Sequence, residues 1–364
     1  MNQISSFFPP ASSLDSWGGD IIALIFAGEE IGYPDLSQQA RALAAFLTGR
    51  GVQEGELVAV LSPSSLTVLQ VLYAALNLGL AVFTLDPLMD RERRNRLLAQ
   101  AGCSLVLSDI ELQDIPNGVE IIQLDYPIET DEVLESGGNR GEVQLIIATS
   151  GSEGEPKGVM LSGGNIASSV AASRNRLGLE SGHLWLNCLP MFHVGGVMVA
   201  YRCLDAGAGM LLHPGFDADQ VWADLNRYQV THISLVPAML ARLLDLTKDA
   251  APPDCLRVAL IGGGHLSPLL AFRAREAGWP LCVSYGMSET CSQCATDCGD
   301  AAGLIAGQVG LPLDGFEIAL SEQGRIMLLG PAVMRGYANP DLAPGLGCWM
   351  RQVACGCWVG QMIC

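Results

Sequence analysis

The stretch Thr149-Ser-Gly-Ser-Glu-Gly-Glu-Pro-Lys157-Gly-Val gathers glycines, hydroxyls and one cationic side chain into a single short loop. Gly151, Gly154 and Gly158 let the backbone approach a ligand closely. Successive N–H groups, the hydroxyls of Thr149, Ser150 and Ser152, and the Lys157 ammonium offer donors to polyphosphate oxygens. Just upstream, Val143-Gln-Leu-Ile-Ile-Ala148 is an apolar run that reads as a buried strand, so the loop stands at a strand end. It is not a P-loop, because Lys157 lies between Pro156 and Gly158 rather than opening a helix. Composition alone also fits a Gly- and Ser-rich surface turn.

Outward from the loop, strand-like runs at 144–148, 184–189, 232–236, 258–261 and 281–284 alternate with helix-like stretches. That alternation predicts an α/β fold built from parallel βαβ units. Near residue 310 the pattern changes. Residues 316–320 and 324–329 alternate around the turn Ser321-Glu-Gln-Gly324, which predicts an antiparallel hairpin and a small β subdomain.

Two later segments carry chemistry. In Leu189-Pro-Met-Phe-His-Val-Gly-Gly196, His193 sits among apolar residues ahead of a glycine pair, a setting that suits a packed histidine as well as a site residue. In Val283-Ser-Tyr-Gly-Met-Ser-Glu-Thr290, Tyr285 is placed to stack a base, Ser288 to bond a phosphate and Glu289 to hold Mg²⁺, a hard cation that takes one or two carboxylates beside nucleotide phosphates. Read in isolation, this second segment also fits a strand followed by a capped helix start.

The three segments, in this order, resemble the adenylate-forming (ANL) superfamily of acyl-CoA synthetases, aryl-CoA ligases, luciferases and the adenylation domains of peptide synthetases. Further landmarks are similar: Tyr33-Pro-Asp-Leu-Ser with the helical run after it, Ala81-Val-Phe-Thr-Leu-Asp-Pro87, Val258-Ala-Leu-Ile-Gly-Gly-Gly264 and Gly330-Pro-Ala-Val-Met-Arg-Gly-Tyr-Ala-Asn-Pro340. The resemblance implies ATP, Mg²⁺ and CoA as cofactors. It makes Thr149, Ser150, Gly151, Ser152, Gly154 and Lys157 the phosphate loop, with Thr149 and Glu289 on magnesium. It sets Gly262, Gly263 and Gly264 against adenine and Tyr285 on its face, with Gly286, Met287 and Ser288 completing the nucleotide site and Ser288 at the α-phosphate. His193, Val194, Gly195, Val236, Met239 and Ser284 would line the carboxylate pocket. His193, Ser288, Glu289 and Lys157 would carry catalysis. Glu153 stands where most members have threonine, a change that also resembles some acyl-carrier-protein synthetases.

The implied reaction has two steps. A small-molecule carboxylate attacks the α-phosphorus of ATP to give an acyl adenylate and pyrophosphate, and a thiol then attacks the activated carbonyl, releasing AMP. Positioning and charge neutralisation dominate such chemistry, so no Ser-His-Asp or Cys-His arrangement is needed. The segment Pro190-Met-Phe-His-Val-Gly-Gly196 and the compact N-terminal region look most like those of o-succinylbenzoate-CoA ligases, with short- and medium-chain acyl-CoA synthetases close to them. The alternatives are an enzyme that loads an acyl carrier protein and a non-catalytic nucleotide- or carboxylate-binding remnant.

The 364 residues suggest two or three compact units at roughly 150 residues each. With 49% hydrophobic and 16% charged residues, the chain can bury sheets between helices, and its net charge of −18 argues against a nucleic-acid partner. The uncharged window 66–85 has membrane-span length, but Gln70, Asn77 and Gly79 divide it into a helix and a strand, so no membrane span is expected. No charged, apolar signal opens the chain, and twelve cysteines are then expected as reduced thiols in a cytoplasm. Cys291, Cys294 and Cys298 have zinc-like spacing but lack a fourth ligand at a supporting distance in sequence.

Three parts are expected: an α/β core over 1–310 made of two similar subdomains, a small β subdomain over 311–345, and an aberrant tail over 346–364 without structure. The tail departs from the family's pattern, which continues into a ribose-binding aspartate and a mobile second domain carrying a further lysine. Four cysteines and two tryptophans in Leu346-Gly-Cys-Trp-Met-Arg-Gln-Val-Ala-Cys-Gly-Cys-Trp-Val-Gly-Gln-Met-Ile-Cys364 resemble a shifted reading frame. Moving the frame by two bases makes Cys348-Trp-Met encode Leu-Asp and Cys357-Trp-Val encode Leu-Gly. The expectation is a large domain without its mobile partner, of doubtful competence.

Overall fold

The computed structural model describes residues 12–15, 17–126, 128, 143–150, 156–299, 309–321, 326–339 and 348–349. Two mixed sheets organise them, with helices packed between. The seven-stranded sheet runs, in spatial order, Gly336–Tyr337, Pro156–Leu161, Leu145–Ser150, Ala81–Leu85, Leu57–Leu61, Leu105–Ser108 and Glu120–Gln123. The nine-stranded sheet runs Leu311–Pro312, Ser292–Asp297, Leu281–Met287, Val258–Ile261, His232–Leu235, Leu184–Asn187, Gly209–Leu212, Ile22–Phe26 and Glu29–Gly32. The strands from Leu281–Met287 through Ile22–Phe26 pair parallel. The α/β class with parallel sheets is thus present, and a separate antiparallel unit follows in Glu317–Leu320, Ile326–Leu329 and Cys348–Trp349.

The uncharged 66–85 window resolves as expected into the helix Ser65–Leu78 and the strand Ala81–Leu85. Ser64 caps the helix start through the Thr67 N–H, and Gly79 ends it with φ +68°, a left-handed turn that costs glycine little. Both elements are apolar all round because both are covered on every side: eleven of the helix's fourteen residues are buried. Among the described residues no helix is long and apolar enough to cross a membrane.

Between the sheets lies the helix Val194–Ala206, with ten of thirteen residues buried. Side chains from elements on the far side reach it. The Tyr73 hydroxyl donates to Ala200 O at 3.2 Å, and the Tyr33 hydroxyl lies 3.0 Å from Cys203 O and 2.8 Å from Ala208 O. Apolar burial at roughly 25 cal/mol per Å² drives this packing, and the buried tyrosine hydroxyls find carbonyl partners on and just beyond the helix.

Three observations bear on the boundaries and thiols expected from sequence. Leu311–Pro312 completes the nine-stranded sheet and Gly336–Tyr337 returns to the seven-stranded one, so the 311–345 stretch feeds three sheets rather than one. Within 346–364, Cys348–Trp349 pairs antiparallel with Met327 and Leu328, and the rest of that stretch lies outside the described residues. The expectation of reduced thiols fails at Cys282 and Cys298, which form a disulfide. The antiparallel register that pairs Val283 with Asp297 brings these two cysteines opposite each other one step further along, a non-local pairing that spacing alone does not reveal. With its sulfur in that bond, Cys298 cannot join Cys291 and Cys294 as a metal ligand, and among the described residues no cluster of metal-binding side chains occurs.

Candidate active site

The glycine-rich loop is the tip of a hairpin. Leu145–Ser150 pairs antiparallel with Pro156–Leu161, with Thr149 opposite Lys157 and Ser150 opposite Pro156. Gly151, Ser152, Glu153 and Gly154, and the side chain of Ser150, lie outside the described residues. The Thr149 hydroxyl sits 3.5 Å from Lys157 O. Gly158 does not face a ligand as the sequence suggested. It is buried in the strand, where an added Cβ would come within 3.0 Å of Ile146 and 3.2 Å of Ala338, so its smallness serves packing.

At the carboxyl ends of the parallel strands the other segments assemble. His193 follows the strand Leu184–Asn187 and caps Val194–Ala206; Val236 follows His232–Leu235; Gly262, Gly263 and Gly264 follow Val258–Ile261. Neighbouring strands in one sheet therefore bring these residues side by side. The Gly262 N–H donates to Leu235 O at 3.1 Å, and Gly263, at φ +71°, would put a Cβ 3.2 Å from the Val236 side chain. Ser284 flanks Gly262 from the next strand, and its hydroxyl lies 3.4 Å from Ala295 O. Met239 and Val194 are half-buried against the core, whereas Gly195 packs under Leu189. In open α/β sheets, ligands bind in the crevice at such strand ends.

The motif 283–290 forms the end of Leu281–Met287 and the short 3₁₀ turn Ser288–Thr290. Gly286 is obligatory: a Cβ there would lie 1.5 Å from Ser292 O across the hairpin. Thr290 is fully buried, and its hydroxyl oxygen accepts the Met287 N–H at 3.1 Å while lying 3.2 Å from Ser292 O. It braces the turn, leaving Ser288 and Glu289 half-exposed.

Glu289 and Lys157 come from distant parts of the chain and meet at one side chain. The Tyr337 hydroxyl donates to Glu289 Oε1 at 3.0 Å, and Lys157 Nζ lies over the same ring, 5.2 Å from its centroid. Backbone bonds fix this meeting. The N–H groups of Arg335 and Ala338 donate to Met160 O and Gly158 O, and that of Met334 donates to Glu289 O. The segment 334–338 is thus laced to the loop's return strand on one side and to the backbone of Glu289 on the other. Tyr337 lies within the landmark Gly330–Pro340, and that placement, next to Gly336, is the only sequence signal of its part in the site.

His193 is exposed at the side of the cleft and stacks against Phe192, with ring centroids 4.6 Å apart. Desolvation lowers its pKa, and the carboxylate of Asp86 opposes that shift. The imidazole is therefore a neutral wall near pH 7 rather than a cation. Asp86 follows Ala81–Leu85 in the other sheet, and Thr84 Oγ1 donates to Phe192 O at 3.5 Å, so the two sheets face each other across this point. Asn187, unnoticed in the sequence, is fully buried and holds the 188–196 turn: its Nδ2 donates to Gly196 O at 3.1 Å and its Oδ1 accepts the Leu189 N–H at 3.2 Å.

Comparison with known proteins meets the same conclusion from another side. The family described as AMP-binding enzyme matches residues 13–338.

The chain belongs to the AMP-binding enzyme family.

With relatives that are ligases of the AMP-forming acid–thiol class, it is an enzyme of that class. It is 30% identical over 340 residues to the 2-succinylbenzoate–CoA ligase of Bacillus subtilis (strain 168), covering 88% of this chain and 69% of the relative. It is 33% identical over 333 residues to the ligase of that name from Bacillus thuringiensis subsp. konkukian, with the same coverage. Among solved structures, the o-succinylbenzoate coenzyme A synthetase of Bacillus subtilis in complex with AMP superposes with a TM-score of 0.86 at 29% identity, over 92% of this AMP-binding enzyme and 91% of that chain. The same synthetase with ATP and magnesium gives 0.85, over 92% and 73%.

Proposed function

We propose that this AMP-binding enzyme activates a 2-succinylbenzoate-type aromatic carboxylic acid with ATP and passes the acyl group to CoA. The observation that carries the reading is the meeting of Lys157 and Glu289 on Tyr337. The relatives with the ligase name, and the relative holding ATP and magnesium, support the substrate and cofactor assignment.

The residues fit a magnesium nucleotide. Glu289 offers a hard oxygen, the Tyr337 hydroxyl on its Oε1 orients that carboxylate much as outer-shell groups orient metal ligands, and Lys157 lies over the same tyrosine ring. When bound, Mg²⁺ neutralises phosphate charge. Thr149, Ser150, Gly151, Ser152, Gly154 and Lys157 cradle the β- and γ-phosphates, and Ser288 bonds the α-phosphate. Tyr285, Gly286 and Met287 carry the nucleoside edge. The substrate carboxylate supplies its own nucleophile, so these residues align it in line with the α-phosphorus and stabilise charge there. His193, Val194, Gly195, Val236, Met239 and Ser284 exclude water from the acyl side. Thioester formation then follows by attack of the CoA thiol on the activated carbonyl, with the thiol proton lost and AMP departing as the leaving group.

Acid-dependent exchange of labelled pyrophosphate into ATP tests adenylation, and 2-succinylbenzoate against benzoate and hexanoate tests the acid. Exchange is expected with 2-succinylbenzoate and lost by about 100-fold or more in Glu289→Gln. ATP binding with no exchange for any acid would leave a nucleotide-binding protein instead.

A further inference from the structure

At the opposite edge of the nine-stranded sheet, where Val258–Ile261 and Leu281–Met287 begin, a cavity of about 350 Å³ opens between the ends of two helices. Its wall includes three guanidinium side chains, Arg176, Arg257 and Arg275, together with Trp279. A chain with only 20 lysines and arginines and a net charge of −18 has placed three of those cations around one hollow.

The three arginines differ in what already engages them. Arg176 donates to the carbonyls of Thr296, Leu311 and Pro312, so it is a strut. Arg257 is exposed and touches His183 Nε2 at 3.0 Å. Arg275 has an Nη2 that is buried without a hydrogen-bond partner, and the buried indole Nε1 of Trp279 is likewise unpartnered. Neither buried donor atom opens into the cavity, so what the hollow offers an anion is the exposed Arg257 guanidinium and the rest of the half-buried Arg275 side chain.

Arg176 and Arg275 lie in the last turns of Gly163–Leu177 and Pro268–Glu276, where they complement the negative helix ends. Asp297 acts on Arg275, and Glu180 acts on His183, the partner of Arg257. The rest of the wall mixes apolar side chains of Leu177, Val258, Pro280 and Leu281 with the Cys282–Cys298 disulfide and the backbone at Gly278 and Gly299. The volume suits a small organic molecule rather than a bare ion.

We propose that this cavity is a second ligand site, independent of the adenylation cleft, for a small organic oxyanion whose phosphate or carboxylate head is held by Arg275 and Arg257 and whose apolar body lies against Trp279. Arginine's planar fork matches such heads by paired N–H donors. The site is separated from Ser288 by the length of the strand Leu281–Met287, on the order of 20 Å at about 3.3 Å per residue.

Calorimetric titration of phenylphosphate into the full chain carrying Lys157→Ala, at constant ionic strength balanced with chloride, reads this site with the glycine-loop cation removed. One site per chain is expected, accompanied by a change in tryptophan fluorescence. Inorganic phosphate should bind about tenfold more weakly. Adding Arg275→Ala should weaken phenylphosphate by at least tenfold, and Arg257→Gln, an exposed change that leaves the core alone, should weaken it independently. No binding in the Lys157→Ala protein, or an affinity indifferent to both arginine changes, overturns the proposal. Failure of acid-dependent pyrophosphate exchange bears only on the adenylation reading.

Discussion

Tyr337 is the side chain on which the candidate site turns, because its ring meets an ammonium and its hydroxyl meets a carboxylate. Removing only the hydroxyl tests the orienting role without emptying the space. Tyr337→Phe is expected to keep the fold and the Lys157 contact, and to raise the magnesium concentration needed for half-maximal pyrophosphate exchange by about 10–100-fold. An unchanged magnesium dependence would reduce Tyr337 to packing. At this scale the sequence was legible where a residue's chemistry is unusual for its neighbours: Lys157 after a proline, Glu289 after a serine in a glycine turn. It was not legible where a residue acts through geometry. Nothing in the name of Asn187 says that it pins the His193 turn, and nothing in Gly158 distinguishes a packing glycine from a phosphate-facing one until the strand register is known.

At the scale of elements, the hairpin formed by Leu281–Met287 and Ser292–Asp297 holds Ser288 and Glu289 at its turn, and its conformation is costly. Cys291 and Ser292 both have positive φ, at +56° and +89°, in residues that disfavour it. The buried Thr290 hydroxyl and the missing Cβ of Gly286 offset that cost. Gly286→Ala would force the strands apart, since its Cβ would overlap Ser292 O. Gly264→Ala would meet Pro237 only at an ordinary 3.6 Å. The expected order is therefore a loss of soluble, active protein for Gly286→Ala and a change of less than about 1 kcal/mol in unfolding free energy for Gly264→Ala, read from urea denaturation. Equal effects would mean that the hairpin yields. Element types were legible because apolar runs and glycine stops are local signals. The Leu145–Ser150 strand and the 66–85 helix and strand came from such signals, whereas the pairing of Gly336–Tyr337 with Pro156–Leu161 depends on a contact between residues far apart in sequence.

For the whole molecule, cooperativity between the sheets and their helices makes buried histidines a lever on global stability. His232 is fully buried at the start of its strand. Its Nε2 lies 3.2 Å from Leu177 O and its Nδ1 lies 2.9 Å from the Thr231 hydroxyl, an arrangement that suits the neutral ring. Desolvation is the largest influence and lowers its pKa to about 4; the Leu177 carbonyl opposes this, and His183 and Arg257 reinforce it. The unfolded chain takes up that proton near pH 6.5, so between pH 6.5 and 4 the unfolded state binds more protons than the folded one. Stability from this group is complete above pH 6.5 and falls as the solution is acidified toward 4, at up to about 1.4 kcal/mol per pH unit. Substituting His232→Gln keeps a polar side chain but removes the titration. Chemical denaturation at pH 7, 6, 5 and 4.5 should show the wild-type stability declining more steeply than the variant's, with a difference reaching about 2–3 kcal/mol. Carboxylates common to both proteins cancel in that difference. Parallel pH profiles would mean that His232 is already charged in the fold, and that the apolar layer around it admits water.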